Sequence, residues 1–254
     1  MISKKELQDY AKLKGLNLGN AEKDYLLDIA LLSISKHTKN ELIFKGGTCL
    51  YKFHKLNRFS EDLDFSAVDK INIDNLISHI ILDFEKFGIK ACIHKKKEPY
   101  NSILITLRLE GPLSSGNPTT FARIGIDINI SSSVELTSDF LKYTPIYPEI
   151  SEISVLCMNP EEIFAEKIRA LMTRNRARDL FDLSFLLKKN IHAKKGLINK
   201  KMKYYNIKFD VKKLITNIKS LEKKWKNELS GFTSEIPDFN QVSKNAINSL
   251  KKIY

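Results

Sequence analysis

The sequence predicts an α+β protein whose strands and sheet-packing helices occupy residues 1 to 158 and whose remainder, residues 159 to 254, is helical. Three observations carry that prediction. Short apolar runs with period-two alternation recur between residues 42 and 157, helical patterns are interleaved with them, and beyond residue 158 only helical spacing is left.

The N-terminal stretch "MISKKELQDYAKLKG" is a polar helical pattern. Residues 22 to 37 place Tyr25, Leu26, Ile29 and Leu32 at helical spacing, an amphipathic helix that delivers the chain to "ELIFKGG", a strand ending in a glycine turn. "TCLYKFHKL" then reads as a helix and "DLDFS" as a strand. A helix over 73 to 87 precedes three alternating tracts, "GIKACIHKKK", "SILITLRLEG" and "RIGIDINIS". The turn residues Pro99, Asn101, Gly111, Pro112, Gly116 and Pro118 separate them, so they form later strands of one sheet. A loop with Pro145 and Pro148 leads to a short strand, "EISVLCM".

The helical half opens at "NPEE", where Asn159 suits an N-cap, Pro160 the first helical position and Glu162 the third position of a capping box. Residues 190 to 207 are basic and weakly periodic, which reads as a loop or insertion, and further helices are expected over 211 to 229 and 239 to 252. No internal repeat or low-complexity tract is present.

A hydrophobic content of 43% suffices for a core. The formal charge of +12 suits a polyanionic partner, namely nucleic acid, nucleotides or an acidic membrane surface, although a generally lysine-rich composition gives the same number. Cys49, Cys92 and Cys157 are far apart and make no CxxC pair, which argues against a disulfide framework or a zinc site and for a reducing cytoplasm. The most apolar run, "YLLDIALLSI", is interrupted by Asp28 and too short to span a bilayer. The expectation is a cytoplasmic protein without a membrane segment.

Two features of the first half bear chemistry. On a strand, Asp62 and Asp64 project from one face while Leu63 and Phe65 enter the core, so two carboxylates stand ~7 Å apart, either as a solvated strand face or as a cradle for Mg²⁺ or Mn²⁺. Gly46 and Gly47, between a strand and a helix, let backbone N–H groups approach phosphate oxygens, with Thr48 adding a hydroxyl. A plain tight turn is the alternative, and no Walker A lysine follows. In "RIGIDINI" the residues Ile124, Ile126, Ile128 and Ile130 fill one face and leave Asp127 on the other, where it becomes a third carboxylate if this strand adjoins the first.

In the second half, "EEIFAEKIRALMTRNRARDLFDLSFLLKK" read as one ideal helix sets Lys167, Arg174, Arg178 and Asp182 in a stripe roughly 80° wide. Such a stripe is either an ion-paired solvated face or a source of cations for a triphosphate, and a break near Asn175 would scramble it.

The glycine pair, the two-aspartate strand and the later single-aspartate strand resemble the nucleotidyltransferase superfamily with the polymerase-β-like mixed sheet. Together, "FKGGTCLYKF…RFSEDLDFS", "IDIN" and "EEIFAEKIRALMTR…RARDLFDL" resemble the AbiEii/AbiGii-type nucleotidyltransferase toxins of toxin–antitoxin systems, over roughly residues 42 to 190. Fourteen residues separate Gly47 from Asp62, slightly more than is usual there, and Gly-Gly-Thr replaces the commoner Gly-Ser.

The resemblance implies Gly46, Gly47 and Thr48 near the triphosphate, Asp62, Asp64 and Asp127 as metal ligands, and Lys167 with Asp182 or Asp179 as later catalytic residues, while the stripe offers Lys167, Arg174 and Arg178 as charge for the nucleotide. It further implies an NTP substrate, a tRNA-like RNA acceptor, a helical half that completes the active site, and a separately encoded antitoxin. Nucleotidylation of a protein, a nuclease using the same acids, and a non-catalytic nucleic-acid or antitoxin-binding module are the other readings.

Overall fold

Seven strands form one mixed sheet in the computed structural model, which describes residues 1–130 and 133–254. They are β1 (Leu42–Lys45), β2 (Asp62–Ala67), β3 (Ala91–Lys97), β4 (Ser102–Leu109), β5 (Ala122–Asn129), β6 (Asp139–Tyr143) and β7 (Ile153–Cys157), in the order β3-β4-β5-β2-β1-β7-β6. The pairs β2/β5 and β1/β7 are parallel and the other neighbours antiparallel. The tract "RIGIDINIS" runs past β5 to Ser131, which lies outside the described residues.

Contacts divide the chain into two units. One is Met1–Ser133 with Ser138–Cys157, and the other is Val134–Thr137 with Met158–Tyr254. The sheet unit contains the helices α1 (Lys4–Lys14), α2 (Leu18–His37), α3 (Gly46–His54) and α4 (Ile73–Lys86). Among its described residues, the helical unit contains α5 (Pro160–Thr173), α6 (Ala177–Lys188), α7 (Lys195–Lys203), α8 (Val211–Ser220), α9 (Glu222–Leu229) and α10 (Phe239–Ile253). No described helix is long and apolar enough to cross a membrane.

Alternation explains the centre of the sheet: Ile124, Ile126 and Ile128 of β5 and Leu63 and Phe65 of β2 are buried, and the residues between them face the other side. Ile130 departs from that pattern, because it lies past the strand end and is 49% exposed. The helix α2 is buried nearly all round, and the aspartate that interrupts its apolar run is accommodated by an internal ion cluster. Lys52 of α3 lies 2.5 Å from Asp24 and 2.8 Å from Asp28, Lys14 caps the second oxygen of Asp24, and Tyr147 donates to that same oxygen. This cluster fixes α3, and hence the glycine turn at its start, onto α2.

Three local expectations are corrected. Glu162 does not close a capping box: Asn159 does cap α5 by accepting from Glu161 N, but Glu162 is buried, accepts from the backbone N–H of Glu135 and Leu136, and pairs with Lys201 at 2.5 Å. The 190–207 segment contains a helix, α7, which Leu197, Ile198 and Met202 pin to the core. The edge strand β6, "DFLKY", gave no sequence signal because its residues are exposed or half-exposed and lack apolar alternation.

Candidate active site

The parallel register of β2 and β5 sets Asp64 directly beside Asp127 and Asp62 beside Gly125. Neighbouring strands are about 4.8 Å apart, so Asp64 and Asp127 are lateral neighbours and Asp62 stands one pleat along on the same face. Burial follows the same logic, with Asp62 exposed and Asp64 and Asp127 half-exposed beside fully buried Leu63, Phe65, Ile126 and Ile128.

On its other side β2 pairs with β1, and Lys45 lies opposite Asp64. The next residue, Gly46, begins α3 in the left-handed region, φ +76°. A Cβ there would collide with the Asp64 carboxylate, whose Cγ is 3.0 Å from the Cβ position. Gly125 is equally tight against Asp62, with the Asp62 Cγ 3.3 Å from a Cβ position. Both glycines are therefore required because carboxylates lie on them, and the helix N-terminus is brought onto the acidic face.

Gly47 has a different neighbour. Its Cβ position lies 2.7 Å from Arg58 Nη2 and 2.8 Å from Ser60 Oγ, so a buried guanidinium covers the first turn of α3. Arg58, which also donates through Nη1 to Phe59 O at 2.8 Å, is the site-proximal residue that pattern reading missed. The available signal was its place in "RFSEDLD", a cation just ahead of three acids. Thr48 is a correction: it is fully buried and its hydroxyl donates to the carbonyl of Asp62, so it ties α3 to β2 and does not offer its hydroxyl to a phosphate.

In the helical unit the single-helix stripe is also corrected. The segment is two helices, α5 ending at Thr173 and α6 starting at Ala177, with Asn175 at φ +48° between them. The turn folds Arg174 back onto Asp179 as a bidentate pair, Nε to Oδ2 2.9 Å and Nη2 to Oδ1 2.8 Å. Lys167 Nζ lies 3.1 Å from Asp179 and 2.7 Å from Asp182, and all three residues are buried. Burial pushes the Asp179 carboxyl up, but Lys167 and Arg174 outweigh it and hold that group below its ordinary value. Arg178 points elsewhere, its guanidinium 4.6 Å from the Phe232 ring centre. Thus Lys167, Arg174, Asp179 and Asp182 form one charge-compensated cluster, while the Arg178 guanidinium stacks on the Phe232 ring.

The profile of the nucleotidyl transferase AbiEii toxins of type IV toxin–antitoxin systems matches residues 30–245. The chain belongs to this family. It is thus a nucleotidyl transferase toxin of the type IV class, for which an NTP substrate and an antitoxin partner are implied.

Solved structures share the AbiEii chain's fold. The MenT4 nucleotidyltransferase toxin of Mycobacterium tuberculosis superposes with a TM-score of 0.67 at 17% identity, covering 100% of this chain and 91% of its own. A Helicobacter pylori protein described as a nucleotidyltransferase gives 0.59 at 23%, covering 91% and 92%, and JHP933 of the same species gives 0.54 at 21%, covering 94% and 93%. No curated protein sequence matches the chain.

Nucleotidyl transferases generally use a divalent metal, and the donors present fit one: carboxylate oxygens on adjacent strands are the hard ligands that Mg²⁺ or Mn²⁺ takes. The glycines beneath Asp62 and Asp64 leave no side chain competing for the same space. Among the described residues, however, no three His, Cys, Asp or Glu side chains are gathered closely enough to hold an ion as they stand. The physical reason lies in orientation, since Asp62 leans over Gly125 and Asp64 over Gly46. An ion held by these carboxylates would call for side-chain rotation at both positions.

Proposed function

We propose that this AbiEii toxin transfers a nucleoside monophosphate from an NTP to a hydroxyl of RNA, with pyrophosphate leaving. The observation that supports it most is the register that puts Asp64 beside Asp127, with Asp62 on the same face and the α3 N-terminus against Asp64. In this reading Asp62, Asp64 and Asp127 hold Mg²⁺ or Mn²⁺, which supplies charge neutralisation for the triphosphate.

The chain's own groups then do the positioning. The backbone N–H groups of Gly46 and Gly47 face the triphosphate with the favourable end of the α3 dipole, and Arg58 adds a fixed cation over that turn. Asp127 orients the acceptor hydroxyl and takes its proton. The family resemblance assigns Lys167 with Asp182 as the basic and acidic pair of the later motifs, and Arg174, more exposed than either, suits an anchoring cation. RNA is favoured as acceptor by the formal charge of +12.

The test is incubation of the full chain with α-phosphate-labelled NTPs, Mg²⁺, and total RNA and protein. Label in RNA with release of pyrophosphate is expected, abolished by chelation and reduced at least about 100-fold in Asp64→Asn, with the thermal midpoint little changed. Label confined to protein would establish protein nucleotidylation in its place, RNA cleavage without pyrophosphate would establish a nuclease, and no chemistry with either would leave a binding module.

A further inference from the structure

The charge is distributed very unequally. The helical unit has 22 Lys and Arg against 11 Asp and Glu, a formal +11, whereas the sheet unit has 20 against 19, a formal +1. Several outer lysines of the sheet unit are tied to acids, namely Lys23 to Glu61, Lys90 to Glu110, Lys96 to Asp74 and Glu98, and Lys142 to Glu152. The excess is therefore a property of the helical unit, and its location there can be read.

The segment 190–207 is the weaker candidate. Lys201 is buried against Glu162 and Glu166, Lys200 is paired with Glu135 at 2.5 Å, and the Tyr205 ring is covered by Arg169, whose guanidinium is 4.3 Å from its centre. Two of its five lysines are thus already engaged within the protein, and its two tyrosine rings pack edge-on against each other at 5.1 Å.

The helices α8 and α9 differ. They follow one another through Leu221, whose φ −74° and ψ −13° keep the backbone in the right-handed region. On an ideal helix Lys219, Lys223 and Lys226 lie about −20°, +20° and −40° from Lys212, an arc of about 60° over a rise of about 21 Å. The tightened turn at Leu221 shifts the second half by about 20°, too little to break the stripe. All four lysines are exposed, and among the described residues none has an ion-pair partner. Leu214, Ile218, Trp225 and Leu229 bury the opposite side, so the stripe is held outward. Nearby acids are outside the row: Glu222 lies about 80° from Lys212 and about 40° beyond the edge of the arc, and Glu228 accepts from Ala177 N at 2.7 Å.

We infer that the Lys212–Lys219–Lys223–Lys226 face of α8 and α9 is the docking surface for the phosphate backbone of RNA. The inference rests on the RNA-acceptor reading. A straight row of solvated point charges with no aromatic or amide group among them suits a regularly spaced polyanion and reads charge without sequence. RNA is the polyanion that the enzyme's proposed chemistry brings to it, which favours it over an acidic protein or an anionic bilayer.

The experiment uses the full chain, a fluorescein-labelled RNA hairpin with a single-stranded 3′ end, and the fourfold Lys→Gln variant of the face. Wild type should bind with an affinity that falls steeply with salt. The variant should bind at least tenfold more weakly at 0.1 M salt, and the slope of log K against log salt should shrink by about 3, since each lost phosphate contact removes roughly 0.7–0.9. Its thermal midpoint and NTP affinity should equal those of wild type, and Asp64→Asn should bind the hairpin normally. Unchanged hairpin binding in the variant would overturn the surface while leaving the RNA reading intact. Wild type that neither binds nor labels any RNA would instead end that reading and the surface with it. Selective loss of binding to phosphatidylserine vesicles or to an acidic protein, with RNA binding preserved, would reassign the face.

Discussion

Each unit buries a lysine between two aspartates, Lys52 in the sheet unit and Lys167 in the helical unit, and these two clusters differ in how they end. In the sheet unit, Lys52 sits between Asp24 and Asp28, and the ring is closed by Lys14, Tyr143 and Tyr147. In the helical unit, Lys167 sits between Asp179 and Asp182, and the chain of charges continues to Arg174, whose side chain is 60% exposed. Both clusters contain two cations and two anions. The first is sealed and can only hold α1, α2 and α3 together, whereas the second reaches water through a cation that can meet an incoming anion.

Electrostatics within the sealed cluster are uneven. Burial, with the neighbouring Asp24 charge, pushes the Asp28 carboxyl up to about 6, even though Lys52 at 2.8 Å pulls it down. Asp24, equally buried, is held below its usual value by Lys52 and Lys14. Removing the shared cation therefore strands Asp28 first. Lys52→Met is expected to cost on the order of 3–5 kcal/mol, a fall in thermal midpoint of about 10 °C, measured by scanning fluorimetry. Lys167→Met should cost about half as much, because Arg174 still holds Asp179. Equal losses would show that exposure of the outer cation makes no difference to the cluster.

Activity should rank the two lysines the other way. Per folded molecule, Lys167→Met is expected to lower NMP transfer by roughly 100-fold, while Lys52→Met leaves turnover within a fewfold once protein is assayed well below its midpoint. Single-turnover labelling at low temperature separates the two. A comparable fall for Lys52→Met would mean that α3 shifts when its anchor is lost, so that the glycine turn no longer faces Asp64.

Much of the sheet unit was legible because alternation is a local signal: "DLDFS" and "RIGIDINI" announced which side chains share a face. Their pairing was not local. That Asp64 neighbours Asp127 depends on a parallel register across 63 positions of chain, which pattern alone left conditional. The helical unit was less legible for a sharper reason. "MTRNRAR" contains no glycine or proline, so the break at Asn175, a residue that tolerates φ above zero, left only a weak mark, and the ideal-helix stripe, which did group Lys167 with Asp182, left out its second partner Asp179. Thr48 and Glu162 were misplaced because both use tertiary partners, Asp62 O and the 135–136 backbone, that no motif contains.

The pH dependence sharpens the contrast. A carboxyl whose folded pKa is raised binds its proton more tightly in the native state, so Asp28 favours folding most below about pH 4, and that contribution is lost as pH rises through about 6. Asp179 has the opposite sign: its contribution is present above its ordinary value and is lost as pH falls. Urea titrations from pH 4 to 7 should show the stability of wild type relative to Asp28→Asn declining as pH rises. A difference independent of pH would mean that Lys52 holds Asp28 ionised throughout.

The smallest expected effect tests whether the open end of the helical cluster is specific. Arg174 and Arg176 flank Asn175, both exposed, and differ in sequence by two positions. Arg174 makes the bidentate pair with Asp179, whereas Arg176 is the N-cap of α6 without a side-chain capping bond. Because one end of the Arg174 pair is solvated, screening limits its worth, and Arg174→Ala should cost about 1 kcal/mol, with Arg176→Ala within about 0.5 kcal/mol of wild type. In labelling assays Arg174→Ala should raise the NTP concentration needed for half-maximal rate several-fold, and Arg176→Ala should leave it unchanged. The pair is decisive because both changes remove the same charge from the same turn. Equal shifts in NTP dependence would show that the turn contributes only diffuse positive potential, and that the bond to Asp179 does not aim Arg174 at the substrate.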